Sequence, residues 1–362
     1  MFLIESVRNF YGRFERPISS ASLILGFVFD ALILKRVDTL WENFWIFIHI
    51  LIIGVFIVLV HMRGIETGDE KNPGKAHFWY VNILQFVFGG VLSAYLVFYF
   101  RSADILVTWP FIAILALAFI ANESLKRHYI RFSFQISLFF LSIYSFAIFL
   151  VPVVLHKIGN FIFLLSGILS VLFIFLFIKI FFYFTKEKFT ESKTMIFPVI
   201  FGIFTLVNLL YFTNLIPPIP LSLKDAGVYH SIQKNKEGNY EVTYEDHGWQ
   251  KYFTLYQDFH EAAGSPIYAF SAIFSPRGLN LDIVHQWQRY EELKDEWVTE
   301  AEIDLHVIGG RDGGFRTYSV RSNLESGKWR VNIKTKQGQT IGHLRFNVIL
   351  SLAEPELATE IK

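Results

Sequence analysis

FIFLLSGILSVLFIFLFIKIFFYF, residues 161–184, carries one charge, Lys179, in an otherwise apolar run rich in Phe, Leu and Ile. A helix rises about 1.5 Å per residue, so about 20 such residues match the hydrocarbon core of a bilayer. The run is therefore a membrane-spanning helix. The same criterion applied to the rest of the chain gives seven spans, at about 17–35, 41–62, 78–100, 104–121, 133–154, 159–184 and 195–215. Asp30 interrupts the first, in ASLILGFVFDALILKR.

The composition agrees. Of 362 residues, 53% are hydrophobic and only 18% are charged, against about 25% charged in soluble domains. The mean hydropathy is +0.39. The apolar residues crowd into the first two thirds, and residues 221–362 read as an ordinary soluble domain. The expected organisation is an arm (1–16), an α-helical polytopic membrane bundle of seven spans (17–215), a Pro-rich joint (216–230), a soluble β domain (231–350) and a tail (351–362). With no cysteine, the chain has no disulfide, thiolate metal site or Cys nucleophile. A net charge of +1 gives no sign of a nucleic-acid partner. The opening MFLIESVRNFYGRFERPISS lacks an apolar core followed by a cleavage site, so the first span is expected to act as its own signal.

Lys and Arg in short loops set orientation, because cytoplasmic loops are enriched in them. Arg8, Arg13, Arg16, Arg63, Lys71, Lys75, Lys126, Arg127, Arg131, Lys186, Lys188 and Lys193 fall on one side. Lys35, Arg36, Arg101 and Lys157 fall on the other. Twelve against four places the N-terminus in the cytoplasm, and seven spans then place the C-terminal domain outside it.

That domain follows NLIPPIPLSLKDAGVYH, where Pro217, Pro218 and Pro220 forbid a continuing helix and predict a short stiff joint. Beyond it come short aromatic or β-branched segments, VYHSIQK, NYEVTYE, QKYFTLYQ, PIYAFSAIF, LDIVHQWQRY, EWVTEAEIDL, FRTYSVR, KWRVNIKT and TIGHLRFNVI. Turn signals separate many of them, which predicts an all-β, Ig-like antiparallel sandwich or a small barrel. In KWRVNIKT, Trp329, Val331 and Ile333 share the face expected in the core. DFHEAAGS is expected to form a helical turn.

His285-Gln-Trp287, Phe315-Arg-Thr-Tyr-Ser319, Gly327-Lys-Trp-Arg-Val331, Gly338 and Phe346-Asn-Val348 follow one another in order. This series resembles the bacterial domain-of-unknown-function family 2914, over about residues 266–349. GFVFDALILKRVDTL, TWPFIAILALAFIANE and IPPIPLSLKDAGVYH resemble members that have a multi-span membrane half. The resemblance implies a bacterial plasma-membrane protein and transfers no activity.

GGRDGGFRTYS, residues 309–319, is the densest polar motif. It lacks the GxxxxGK[ST] order of a nucleotide loop. Its Asp-Gly predicts a hairpin turn, and Arg311, Asp312 and Arg316 are candidates to face an anionic or sugar ligand. One Asp beside two arginines is a poor calcium site. His285 with Trp287, and Arg316 with Tyr318, each share a strand face and could form a carbohydrate platform; the alternative for the Trp is core packing. A second polar set is expected at the outer interface, comprising Asp30, Arg36, Asp38, Arg101, Asp104, Lys224, Asp225 and His230, with Asp30 pairing to Arg36 or Arg101. His49, Asn208 and Glu123 could line a path through the bundle, with His49 bonding between helices.

No cofactor motif and no catalytic signature stand out. The leading expectation is an extracytoplasmic binding module for an envelope glycan, lipid or protein partner, anchored among membrane lipids. The alternatives are an integral membrane enzyme acting on a lipid-linked or headgroup substrate at the outer face, using Asp30, Arg36, Asp38 and Arg101, and a transporter.

Overall fold

The computed structural model describes residues 24–34, 36–66, 75–124, 132–236, 238–246, 248, 254–262, 264–351 and 355–362. The chain divides into two compact units, one helical and one built mainly of strands.

The helices are α1 (Ile24–Ile33), α2 (Leu40–Glu66), α3 (Lys75–Arg101), α4 (Ile105–Ser124), α5 (Phe132–Leu155), α6 (Asn160–Phe184) and α7 (Lys186–Phe212); all lie in the helical unit except Arg101–Thr108, at the α3–α4 turn, which group with the strands. Six of these, α2 to α7, are long and apolar enough to cross a membrane. The described part of α1 is shorter, and residues 17–23 of the expected first span lie outside the described residues. Helix α5 is the most enclosed, packing against α2, α6 and α7. Several buried polar groups are satisfied between helices, as a low-dielectric setting favours. Tyr95 and Tyr99 on α3 donate to the carbonyls of Ser142 and Ser145 on α5, each at 2.8 Å. Asn208 on α7 donates to Tyr144 Oη at 3.0 Å, and His61 meets Gln135 at 3.1 Å, edge-on to the stacked rings of Phe132 and Phe181. His49 hydrogen-bonds within its own helix, to the carbonyl of Trp45 one turn back. The side chain of Glu123 lies outside the described residues.

Among the described residues, the second unit holds eleven strands. They are β1 (Ser222–Tyr229), β2 (Ser231–Lys234), β3 (Tyr240–Glu245), β4 (Gln257–Glu261), β5 (Pro266–Phe274), β6 (Leu281–Glu291), β7 (Glu296–Val307), β8 (Phe315–Ser322), β9 (Gly327–Thr335), β10 (Thr340–Leu350) and β11 (Leu357–Ile361). They form a five-stranded sheet β4-β10-β9-β6-β7, a three-stranded sheet β1-β5-β8 and a small sheet β11-β3-β2. Trp287, Trp329, Val331, Phe346 and Val348 of the large sheet pack on Ile267 and Ala269 of β5. On the other face of β5, Phe270 and Ala272 pack on Tyr229, Ile232 and Val242. Strand β5 is thus buried on both faces, which is why PIYAFSAIF has so little polar alternation.

Several expectations change. Ser222–Tyr229, read as the far half of the joint, is β1 and pairs with β5. Leu357–Ile361, read as tail, is β11 and pairs with β3. DFHE is strand rather than helical turn, and β4 runs parallel to β10, so the domain is not wholly antiparallel. The strand read in QKYFTLYQ is absent from its described residues before Gln257. The small sheet adds a layer that a two-sheet sandwich lacks.

Candidate functional site

Two constellations dominate the β unit, and β8 contributes to both. The first is sealed. His285 on β6 meets Ser271 Oγ on β5 through Nε2 and Ser319 Oγ on β8 through Nδ1, both at 2.9 Å. Trp287 Nε1 donates to the same Ser319 Oγ at 3.0 Å. His285, Trp287 and Ser271 are each 0% exposed. Burial pushes the imidazole down to about 4, so the ring is neutral and offers one donor and one acceptor to the two hydroxyls. A Ser–His contact can start a nucleophile–base pair, but no substrate reaches this one. His285 and Trp287 are therefore not a ligand platform, because the two sheets close over them.

The second constellation is open. Residues 308–314 carry the chain from β7 in the large sheet to β8 in the central sheet. GGRDGG is thus a crossover between sheets, not the tip of a hairpin, since β7 and β8 do not pair. The Gly309 amide donates to Asn280 Oδ1 at 3.2 Å. Gly310 N–H donates to Ser275 O at 2.9 Å, and Gly314 N–H closes a turn onto Arg311 O at 3.1 Å. Gly314 has φ +85, and a Cβ there would lie 2.8 Å from the backbone carbonyl carbon of Ala272. Only glycine fits that approach to β5.

Facing this loop is the β2–β3 turn. Its Gly238 amide donates to Asn235 O at 3.1 Å, and the Asn239 amide donates to Asn235 Oδ1 at 2.8 Å. Arg316 Nη1 donates to Asn239 Oδ1 at 3.1 Å, joining turn and loop. Between them lies a cavity of about 370 Å³ lined by Lys234, Asn239, Tyr240, Arg311, Gly313 and Arg316, among others. None of its described lining residues is acidic. No carboxylate among the described residues forms an ion pair with Lys234, Arg311 or Arg316. The Arg311 guanidinium lies 5.7 Å from the centroid of the Phe315 ring. Arg316 is half-buried, while Lys234 and Arg311 are exposed. Three cations around a concave space attract an anion. Asp312 is exposed in the same turn and does not line the cavity. Tyr318 is not at the cavity either; it packs on Tyr240 and Tyr268.

Lys234 and Asn239 were not legible as site residues, because they come from a turn about 75 positions upstream of Arg311 in the chain. Nor was Glu245, which accepts from the backbone amide of His260 at 2.6 Å. Its two oxygens also contact His230 Nε2 at 3.0 Å and His260 Nδ1 at 2.8 Å. The His230 ring stacks on Phe259, and burial lowers its pKa against the pull of Glu245. Nearby in sequence, Glu261 is 4% exposed and neither carboxylate oxygen has a hydrogen-bond partner among the described residues. Desolvation pushes it up to about 7.

The expected interface cluster is divided. Within the helical unit, Arg36 grips Asp38 with two bonds of 2.8 and 2.6 Å, rather than pairing with Asp30. Arg101 and Asp104 belong to the β unit, where Asp104 Oδ2 meets His343 Nδ1 at 2.6 Å. Asp225 pairs with Lys362 at 2.9 Å, and Lys224 lies 5.2 Å from the Phe274 ring centroid. Within the β unit, Asp104, Asp225 and His230 thus pair with His343, Lys362 and Glu245, none of them in the expected set. Among the described residues no group of three or more His, Asp or Glu is placed to hold a metal ion.

Residues 280–348 match the model of a family described as a protein of unknown function, DUF2914. No curated protein matches the chain. Among solved structures, two crystal structures of beta-glucosidase from Listeria innocua, with gluconolactone and with isofagomine, are similar at 11% and 9% identity. They cover 30% and 36% of this chain, and the chain spans 16% of each, with TM-scores of 0.19. The Pseudomonas fluorescens alkylpurine DNA glycosylase AlkC, bound to DNA containing an abasic site analog, is similar at 7% identity. That match covers 86% of this chain and 99% of the other, with a TM-score of 0.21. Likeness at this level defines neither fold nor function.

Proposed function

We propose that this is a seven-span bacterial plasma-membrane protein that presents an extracytoplasmic binding module, an Ig-like sandwich elaborated by a third small sheet. Its N-terminus is cytoplasmic, and its ligand belongs to an envelope glycan, a lipid or a protein partner. The observation that carries the binding role is the cationic cleft between the β7–β8 loop and the β2–β3 turn, where Lys234, Arg311 and Arg316 stand without a paired carboxylate among the described residues. A fold that closes its other polar constellation in the core but keeps three cations with no ion-pair partner among the described residues around a concavity is suited to an anionic ligand. The twelve-to-four asymmetry of Lys and Arg supports the orientation.

The chain has no cysteine, so topology is testable with single thiols. Leu293, on the β6–β7 turn, is 97% exposed. Leu293→Cys is expected to react with a membrane-impermeant maleimide on intact cells with a permeabilised outer layer, and Arg13→Cys only after lysis. Protection of Leu293→Cys until lysis would overturn the extracytoplasmic placement.

A further inference from the structure

We infer that the cleft between the β7–β8 loop and the β2–β3 turn binds a phosphoryl group, on either a soluble phosphate ester or a lipid headgroup. This rests on the binding-module reading above and names its ligand class. Charge is the first argument. Among the described residues, Lys234, Arg311 and Arg316 line the cleft and no acid does. A carboxylate ligand brings a single negative charge and two oxygens, which one arginine fork satisfies. It would leave two cations uncompensated. A phosphate monoester brings about −1.5 to −2 charge and three strong acceptor oxygens, and so has a partner for each of the three cations.

Geometry is the second argument. The Arg316 guanidinium has five N–H donors, and one is fixed on Asn239 Oδ1. Asn239 is itself held by its backbone amide bond to the Asn235 side chain. Arg316 is therefore oriented before any ligand arrives, with donors left over. Arg311 comes from the opposite side of its own turn, held beside Phe315. Lys234, the last residue of β2, adds a compact point charge. Gly313 lines the same cavity and offers no side chain to obstruct a tetrahedral group. The cavity, at about 370 Å³, lies at the small end of the roughly 300–1,000 Å³ typical of small-molecule sites. It suits a phosphoryl group with a short attached moiety.

The experiment uses the full chain in phosphatidylcholine nanodiscs. Inorganic phosphate, glycerol 3-phosphate, acetate and glucuronate are titrated calorimetrically. Phosphate and glycerol 3-phosphate are expected to bind at least about tenfold more tightly than either carboxylate. Arg311→Gln and Arg316→Gln are each expected to weaken phosphate binding about ten- to a hundredfold, the loss of one charge-assisted bond. Lys294→Gln, on the β6–β7 turn and outside the cleft, is expected to leave it unchanged. Unaltered melting of each variant excludes misfolding as the cause. Discs containing phosphatidic acid separate the sources. Competition with soluble phosphate there assigns the headgroup, and undiminished phosphate binding assigns the soluble ester. Carboxylates binding as tightly as phosphate, with the same dependence on Arg316, would overturn the phosphoryl assignment while leaving a binding module. Phosphate binding indifferent to Arg311 and Arg316, or absent, would also overturn it. Failure of the module's placement is read separately, from the Leu293→Cys labelling.

Discussion

Ser319 and Arg316 stand three residues apart on β8, yet they face different worlds. Ser319 points toward the large sheet and is bonded by His285 and Trp287 in a space closed to solvent. Arg316 points to the other side of the strand, where the small sheet covers Tyr318 through Tyr240 but leaves Arg316 at an open cleft. Side chains alternate across a strand, so one segment supplies a structural contact and a surface one without any change in local conformation. What separates them is how completely the layer opposite covers each face. Polar character on a strand therefore says nothing about function until the covering layer is known.

The sealed side should respond to mutation in stability, and the open side in binding. Trp287→Ala is expected to have the largest effect, a loss of about 3–5 kcal/mol as for other large-to-small core changes, measured by denaturant unfolding followed by circular dichroism of the β unit. A loss under about 1 kcal/mol would mean that the core around Ser319 is not closed. The same side predicts an acid limb. The His285 pKa is lowered in the folded state, so the unfolded chain binds the proton more readily. That stability is complete above the ordinary pKa of 6.5 and is lost as pH falls from there toward about 4. His285→Gln should flatten the melting temperature across that range; an unchanged slope would show that His285 is not buried neutral.

Gly314→Val comes next. It forces a β-branched residue to positive φ and drives a Cβ against β5, at an expected cost of about 1–3 kcal/mol, with displacement of Arg311 and loss of phosphate binding. Glu261 works in the opposite sense to His285. Its raised folded pKa gives stability that is complete below 4.5 and lost as pH rises toward about 7. Glu261→Gln should therefore stabilise the β unit at pH 8 by on the order of 1–2 kcal/mol and do nothing at pH 4; stabilisation at both would point to packing instead. The smallest effect belongs to the open side. Arg316→Gln should shift stability by less than about 0.5 kcal/mol, as at most surface positions, so any larger change would make Arg316 part of the fold rather than of a site.

Helices α2 to α7 were legible because each contains an apolar run whose length alone carries the signal, as in α6. Strand β9 was legible because Trp329, Val331 and Ile333 alternate with polar residues and one face is core. Strand β1 was hidden by the prolines before it, and β4 by its parallel pairing with β10, a partner far along the chain. Of the site, Arg311 and Arg316 stood out because they share a glycine-rich segment. Lys234 and Asn239 did not, since their role comes from a turn that tertiary structure brings alongside.

One consequence concerns synthesis. Strand β3 bonds β2 on one edge and β11 on the other, and β11 leaves the ribosome more than a hundred residues after β3. Closing so long an interval is slow compared with forming a hairpin. Asn239 and Tyr240, which line the cleft, sit at the start of β3, and Tyr240 exchanges backbone hydrogen bonds with Lys362. The wall that positions Arg316 is therefore expected to be the last part of the domain to be fixed. A growing chain would display the arginines well before it could hold a ligand between them.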